Sequence, residues 1–436
     1  MSDNKNHPVC LPGEDRGKPA WLGEPCRLED RGERRASAGG PGGRQNARMN
    51  PSALDADLQA RVDREELPGA SYAVLRAGEV IAQGCVGWAD REARAPLRED
   101  HLFRIFSNTK LVTSCAALQL VEQGRLRVDD PVGDYIPALR KLRVLKPGAT
   151  SLADTEAARE PVRIRHLMTH TAGFTYGFTQ PDAPIAKAYA DARILHPALD
   201  LGQMCEALAT VPLLFQPGAA WNYSIATDVL GHVVELVQGQ ALDACFRRQV
   251  FEPLGMQDTF FFVPPEKQAR LASLYIGDRK EPLRPGLQRA DRLPYEGAYV
   301  RPAPLLGGGG GLVSTLGDYV KLVCALSLGG APLLAPETMR LVTGNQLPAG
   351  LWIGFPGAAM QTGRGHSFAA SVRVEPCADD ASSVPGEVQW GGLAGTKWCF
   401  SPREQLAVVL MTQRYAGSEL PYWGEFKAVV RAALHA

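Results

Sequence analysis

The chain has 436 residues, 45% of them hydrophobic and 22% charged, with 47 basic side chains balanced by 47 acidic ones. That length can bury one large core or two smaller ones, and the composition is that of an ordinary globular enzyme. A formal charge of zero leaves no basic footprint for nucleic acid or an anionic membrane, no run reaches the ~20 apolar residues of a membrane span, and the N-terminus lacks the apolar stretch of a signal peptide.

Residues 1–50 are rich in Arg, Gly, Pro and Asp and carry Gly39-Gly40-Pro41-Gly42-Gly43. They cannot bury enough apolar surface to offset their ordering entropy, so a disordered tail is expected, dispensable for melting and activity, with Met49 a possible second start. Ser52 is the expected N-cap of a first helix, followed by Leu54, Leu58 and Val62 at helical spacing. Residues 72–75 and 80–86 read as strands of a hairpin turning at Ala77-Gly78. Residues 107–122 are apolar nearly all round, the mark of a helix buried on every side, with Gly124 as its C′ stop. The middle carries many prolines and one clear helix at 226–238; strands follow at 387–391, 396–400 and 406–411, then a closing helix at 422–434. Strands at both ends with helices between predict an α/β fold of the α+β type. One antiparallel sheet would be built by 51–165 together with 306–436, flanked by helices, with 166–305 as a mainly helical insert.

Three short stretches could carry chemistry. In Ser107-Asn108-Thr109-Lys110, residues three apart share a helix face, with Cβ atoms ~5–6 Å apart, so hydroxyl and amine can meet. A serine needs a base to take its proton, and a lysine becomes one when burial disfavours its charge, as an apolar helix would arrange. A serine in the first helical turn also has unpaired backbone N–H groups nearby for an oxyanion. Against this, Ser-x-x-Lys also arises by chance; in its favour, a lysine inside an apolar helix is costly without a role. Trp221-Asn222-Tyr223-Ser224 supplies a phenol able to relay protons, or a half-buried loop aromatic. Gln389-Trp390-Gly391-Gly392 permits close backbone approach to a ligand, or forms an edge bulge.

In this order, Ser107-x-x-Lys110, Tyr223 before a helix, and Trp390-Gly391-Gly392 on a late strand resemble the three signatures of the class C β-lactamase-like serine hydrolases. That group includes penicillin-binding proteins, D-Ala-D-Ala carboxypeptidases and family VIII carboxylesterases. Phe103-Arg104-Ile105-Phe106, Asp129-Asp130-Pro131-Val132, the stretch 164–173, Pro253-Leu254-Gly255-Met256 and the glycine run before Leu312-Val313-Ser314-Thr315 are similar to further parts of it. The likeness spans residues 52–434 and implies a β-lactamase/transpeptidase-like fold. It also implies that Ser107 is acylated, that Lys110 and Tyr223 form the base, and that the N–H groups of Ser107 and Leu393 form the oxyanion hole. Trp390, Gly391 and Gly392 would line the substrate; no cofactor or metal is implied. Two positions depart from the lactamase pattern. Ile225 replaces the Asn of Tyr-x-Asn, and Trp390-Gly391-Gly392 replaces Lys-Thr-Gly; Gly395-Thr396-Lys397 is that motif reversed. Both departures lean toward the family VIII esterases. The expected activity is therefore hydrolysis of a small neutral ester. The alternatives are a β-lactamase, a D-Ala-D-Ala carboxypeptidase or an acyltransferase on the same fold, and a non-catalytic binding protein.

Competing patterns are weaker. His166 and His170 sit four apart without the Glu of a zinc helix, so structural roles are expected. Gly365-His366-Ser367-Phe368-Ala369 lacks the last glycine of a nucleophile elbow. The glycines at 307–311 lack the Lys of a phosphate loop and predict a tight turn before a capping box at Thr315-x-x-Asp318. The nine cysteines include no C-x-x-C pair, which predicts reduced thiols and a cytoplasmic setting. Oligomeric state is not written in the sequence.

Overall fold

The computed structural model describes residues 49–435 except 180–182, 279, 283, 356–359, 377–379, 381 and 418–419. Most of the expected tail thus lies outside the described residues, but its last two positions do not. Met49 is 8% exposed and its N–H donates to the Ile81 carbonyl at 3.1 Å, so it belongs to the folded body. Pro51, not Ser52, is the N-cap residue, because helix α1 (Ser52–Asp63) already includes Ser52, whose N–H is taken by the Asn50 side-chain oxygen at 3.0 Å. Burying a methionine stabilises by about 1.5–3 kcal/mol. A chain beginning at residue 45 should therefore melt with the full chain, while one beginning at Pro51 should lose ~1–3 kcal/mol of stability in urea titration.

Eight strands form one antiparallel sheet. In chain order they are β1 (Gly69–Arg76), β2 (Glu79–Asp90), β3 (Ala95–Pro96), β4 (Arg364–His366), β5 (Ser371–Arg373), β6 (Val388–Gly391), β7 (Lys397–Ser401) and β8 (Leu406–Thr412). Their spatial order is β4-β5-β6-β7-β8-β1-β2-β3, so the first long strand pairs with the last. The β1–β2 hairpin turns at Ala77 and Gly78, both at positive φ as a two-residue primed turn requires. β8 is apolar from 406 to 411 because both its faces are covered. Val408 and Leu410 meet α1 and the closing helix α5 (Tyr422–His435), while Ala407, Val409 and Met411 join the core on the other side.

That second core contains α2 (Thr109–Glu122), α3 (Ala226–Gln238) and α4 (Leu316–Ser327). α2 is buried from Thr109 through Leu118, as its composition demands, and it ends at Gly124 with φ +68°. It starts two residues later than expected, because Phe106–Asn108 forms a tighter 3₁₀ turn. The region 166–305 holds helices at Pro184–Asp191 and Leu201–Leu208, α3, and Leu242–Phe246. Its last part is not helical: Tyr275–Ile276 and Gln288–Arg289 form a small sheet with Arg414–Tyr415. No described helix is long and apolar enough to cross a membrane.

Candidate active site

Ser107 sits in the 3₁₀ turn that opens α2, and the turn is pinned from three directions. The two-residue strand Phe103–Arg104 pairs with Val313–Ser314, the Ile105 N–H donates to Leu312 O at 3.1 Å, and the Tyr319 hydroxyl of α4 donates to Asn108 O at 3.0 Å. Phe106 holds φ +43°, an unfavourable left-handed conformation for a bulky residue, between the rings of Tyr299 and Tyr415. The strained residue directly precedes the serine and fixes where its side chain emerges.

The structure brings Ser107, Lys110 and Tyr223 together. The Tyr223 hydroxyl donates to Ser107 Oγ at 2.5 Å, and Lys110 Nζ lies 3.4 Å from the same oxygen and 4.7 Å from the Tyr223 ring centre. Lys110 Nζ also donates to Gly309 O at 2.6 Å and to the Tyr176 hydroxyl at 2.9 Å. Tyr176 faces Asp228, whose Oδ1 accepts the Gly309 N–H at 2.9 Å. Burial raises the Asp228 carboxyl above its ordinary range, opposed by the charge of Lys110, and burial with the nearby Asp228 holds the Tyr176 phenol well above 10. The glycine run is thus more than a turn. A Cβ on Gly309 would overlap Asp228 Oδ2 and lie 2.9 Å from Tyr176 Oη, so only glycine lets this backbone reach both Lys110 and Asp228. The expected cap at Thr315 is present as well, its hydroxyl accepting the Asp318 N–H at 3.2 Å.

Tyr176 and Asp228 were not read from the sequence. Asp228 carried a usable signal, an acid one turn into the apolar Ala226–Gln238 helix, the same kind of costly charge that marked Lys110. Tyr176 had no signal beyond following the 164–173 stretch.

On β6, alternation separates the three expected substrate residues. Trp390 faces the serine side, its ring 5.6 Å from that of Tyr223. Gly391 opens to the opposite face, where an added Cβ would lie 2.9 Å from Lys397 Nζ. The absent side chain makes room for a lysine on that face, and only the Gly391 backbone is left to meet a substrate on the other. Burial pushes that amine down to about 8. Gly392 returns to the turn that carries Ser107, since a Cβ there would collide with the Ile105 carbonyl oxygen. Asn108 Nδ2 ties the same turn to Thr396 Oγ1 at 3.1 Å. The amides of Ser107 and Leu393 donate to no backbone acceptor among the described residues.

Around Tyr223 stands a wall of rings from distant segments: His170, Tyr176, Phe355 and Trp390 lie 5.0–5.6 Å from it, and Trp221 at 6.4 Å. His170 is buried in this wall, and the ring of His366 meets both it and Trp390 at 5.4 Å. Burial holds both histidines below their usual range, His366 at about 4, so the wall is uncharged at neutral pH. The His366 Nδ1–H donates to Ser367 O. His166 accepts the Arg163 N–H, and no cluster fit for a metal occurs among the described residues. Ser367 is buried and bonds Ala370, so it is no nucleophile.

The sequence matches the Beta-lactamase family over residues 54–430. Protein Rv1367c of Mycobacterium tuberculosis is 34% identical over 377 residues, covering 84% of this chain and 90% of its own. Esterase EstB of Burkholderia gladioli is 34% identical over 403 residues, covering 86% and 96%. Among solved structures, EstCE1, a hydrolase with promiscuous acyltransferase activity, superposes with a TM-score of 0.72 at 28% identity, over 88% of this chain and 98% of that one.

Proposed function

Since the chain belongs to the Beta-lactamase family and is a serine hydrolase of that fold, we propose that it is a carboxylesterase acting on small, short-chain neutral esters through an acyl-enzyme on Ser107. The observation that carries the ester reading is Trp390 within an uncharged aromatic wall. In the lactamases resembled, a lysine at that position helps hold the substrate carboxylate. An indole has one N–H and no charge, and Lys397 cannot stand in, because it lies on the far face of the sheet beneath Gly391. The similarity to Esterase EstB supports the same class.

In this mechanism Ser107 Oγ bonds to the ester carbonyl carbon while its proton passes to Tyr223 Oη, the nearer of the two base atoms, which hands its own proton on to the free amine of Lys110. The carbonyl oxygen becomes an oxyanion received by the N–H groups of Ser107 and Leu393. Collapse expels the alcohol, which takes the proton. Water then adds to the acyl carbon, gives a proton to the same base, and the C–Oγ bond breaks to release the acid and restore the serine. Asp228 and Tyr176 hold Lys110 in place. The buried thiols of Cys115, Cys205 and Cys245, packed among apolar side chains, support the cytoplasmic setting expected from the sequence.

The test compares kcat/KM on p-nitrophenyl butyrate and on a chromogenic cephalosporin with one preparation. Losing a charge-assisted hydrogen bond to a carboxylate costs about 1.5–3 kcal/mol, so the ester should win by about tenfold or more. A tenfold advantage for the cephalosporin would show a β-lactamase. A second reading, acyl transfer, is favoured by the similarity to EstCE1. Adding 1-butanol and measuring butyl butyrate against butyrate gives the partition directly.

A further inference from the structure

A cavity of about 310 Å³ opens beside the segment that leads into the nucleophile turn. None of the side chains that touch Ser107 or Lys110 lines it. Its size falls within the ~300–1,000 Å³ of small-molecule sites. One wall is Arg104, 3% exposed, with its guanidinium 6.0 Å over the Tyr299 ring. Arg104 Nη2 donates to Asp291 Oδ1 at 3.0 Å and Nη1 to Ala272 O at 2.8 Å, while Nε has no acceptor among the described residues. The other oxygen of Asp291 accepts Arg289 Nε at 2.7 Å, so this carboxylate is already shared by two arginines. Arg289 is further held by Asp90 at 2.8 Å.

Two more arginines line the same cavity. Arg292 and Arg301 are exposed and have no ion pair or hydrogen-bond partner for their side chains among the described residues. The only other acid in the wall is Glu296, exposed at the mouth. Arg289 is matched by Asp90 and by Glu92 at 3.6 Å, and Arg104 by Asp291, so the two guanidinium groups left without a partner among the described residues, Arg292 and Arg301, face one further carboxylate, that of Glu296. Guanidinium groups present planar pairs of N–H donors that fit phosphoryl and carboxylate oxygens.

We propose that this cavity binds a small multivalent anion bearing phosphoryl or carboxylate groups, gripped by Arg292 and Arg301 with Arg104 behind them. The chemistry is opposite to that of the uncharged wall around Tyr223, so the ligand is a different molecule from a neutral ester, or a different part of a larger one.

The test is calorimetric titration of the full-length protein with inorganic phosphate and, separately, with citrate, at an ionic strength held constant with sodium chloride. One of the two should bind saturably with one site per chain, and which one does assigns the group recognised. In Arg292→Ala/Arg301→Ala, whose melting temperature should be unchanged because both side chains are exposed, affinity should fall by about tenfold or more, the loss expected for charge-assisted bonds. Ser107→Ala should bind as the unaltered protein does. The proposal is overturned if neither anion binds saturably up to on the order of 10 mM, if the double variant binds as well as the parent, or if Ser107→Ala alone removes binding.

Discussion

Replacing Ser107 with alanine is expected to lower ester turnover by about 10⁵-fold while leaving the melting temperature nearly unchanged. The first part follows from chemistry: without Oγ there is no atom to carry the acyl group. The second follows from the surroundings. Lys110 keeps its bonds to Gly309 O and the Tyr176 hydroxyl, so no buried amine is orphaned, and Tyr223 is only half-buried. Lys110→Met should be almost as damaging, and combining it with Ser107→Ala should add little, because groups acting as one unit are not additive. The measurement is kcat/KM on p-nitrophenyl butyrate, with intact mass to detect an acyl adduct on the unaltered protein and none on Ser107→Ala. Residual activity above about 1% would remove Ser107 from the nucleophile's place.

Gly309→Ala should have the largest effect of any change outside Ser107, Lys110 and Tyr223, although residue 309 has no hydrogen bond to Ser107. The added methyl group overlaps Asp228 Oδ2 and presses on Tyr176 Oη, and neither can retreat within a packed interior. Either the carboxylate swings away from the Gly309 N–H or the backbone lifts and takes from Lys110 the carbonyl that positions it. Overpacking of this kind costs about 1–3 kcal/mol of stability, and displacing a catalytic group by ~1 Å costs about 10²-fold in rate. The expected variant is folded, measurably less stable in urea, and about 10²-fold slower with KM little changed. Gly310→Ala is the control: a Cβ there meets nothing closer than 3.8 Å, so it should be mild in both measurements. Equal, small effects at 309 and 310 would show that the glycine run serves only as a turn.

What the sequence made legible was set by how locally each feature is encoded. β8 reads as a strand because its first six residues, 406–411, are apolar on both faces, and the β1–β2 turn reads from Ala77-Gly78. Ser107 and Lys110 are legible because one helical turn joins them, and Tyr223 and Trp390 because the resemblance supplies their order. The room that Gly391 makes for Lys397 was illegible, since that neighbour across the sheet is visible only once register is fixed. The aromatic wall was illegible for the same reason. Trp221, Phe355, His366 and Trp390 come from separate segments and carry no common spacing. Tyr176 belongs with them: it matters through Asp228, 52 positions away, and no local pattern links the two. Ser52 failed as a cap because the helix starts one residue earlier than the hydroxyl suggests: Pro51 is the N-cap residue, its carbonyl accepts the Asp55 N–H at 2.9 Å, and Ser52 lies inside the first turn.

The pairing of β1 with β8 governs when this protein comes into being. A strand finished by residue 76 has its inner edge open until residues 406–412 arrive, 330 residues later. At about 5–20 residues per second of synthesis, that wait lasts on the order of tens of seconds, with an apolar edge exposed throughout. The same schedule applies to the chemistry. Ser107 and Lys110 emerge early, but Gly309, which holds the amine, and the Gly392–Thr396 turn, which braces the nucleophile, belong to the last third. The nascent chain therefore carries an unarmed serine, and the hydrolase is assembled in a single late step. Loss of even the final strand and helix would leave no partially active fragment, only a chain with an unsatisfied edge.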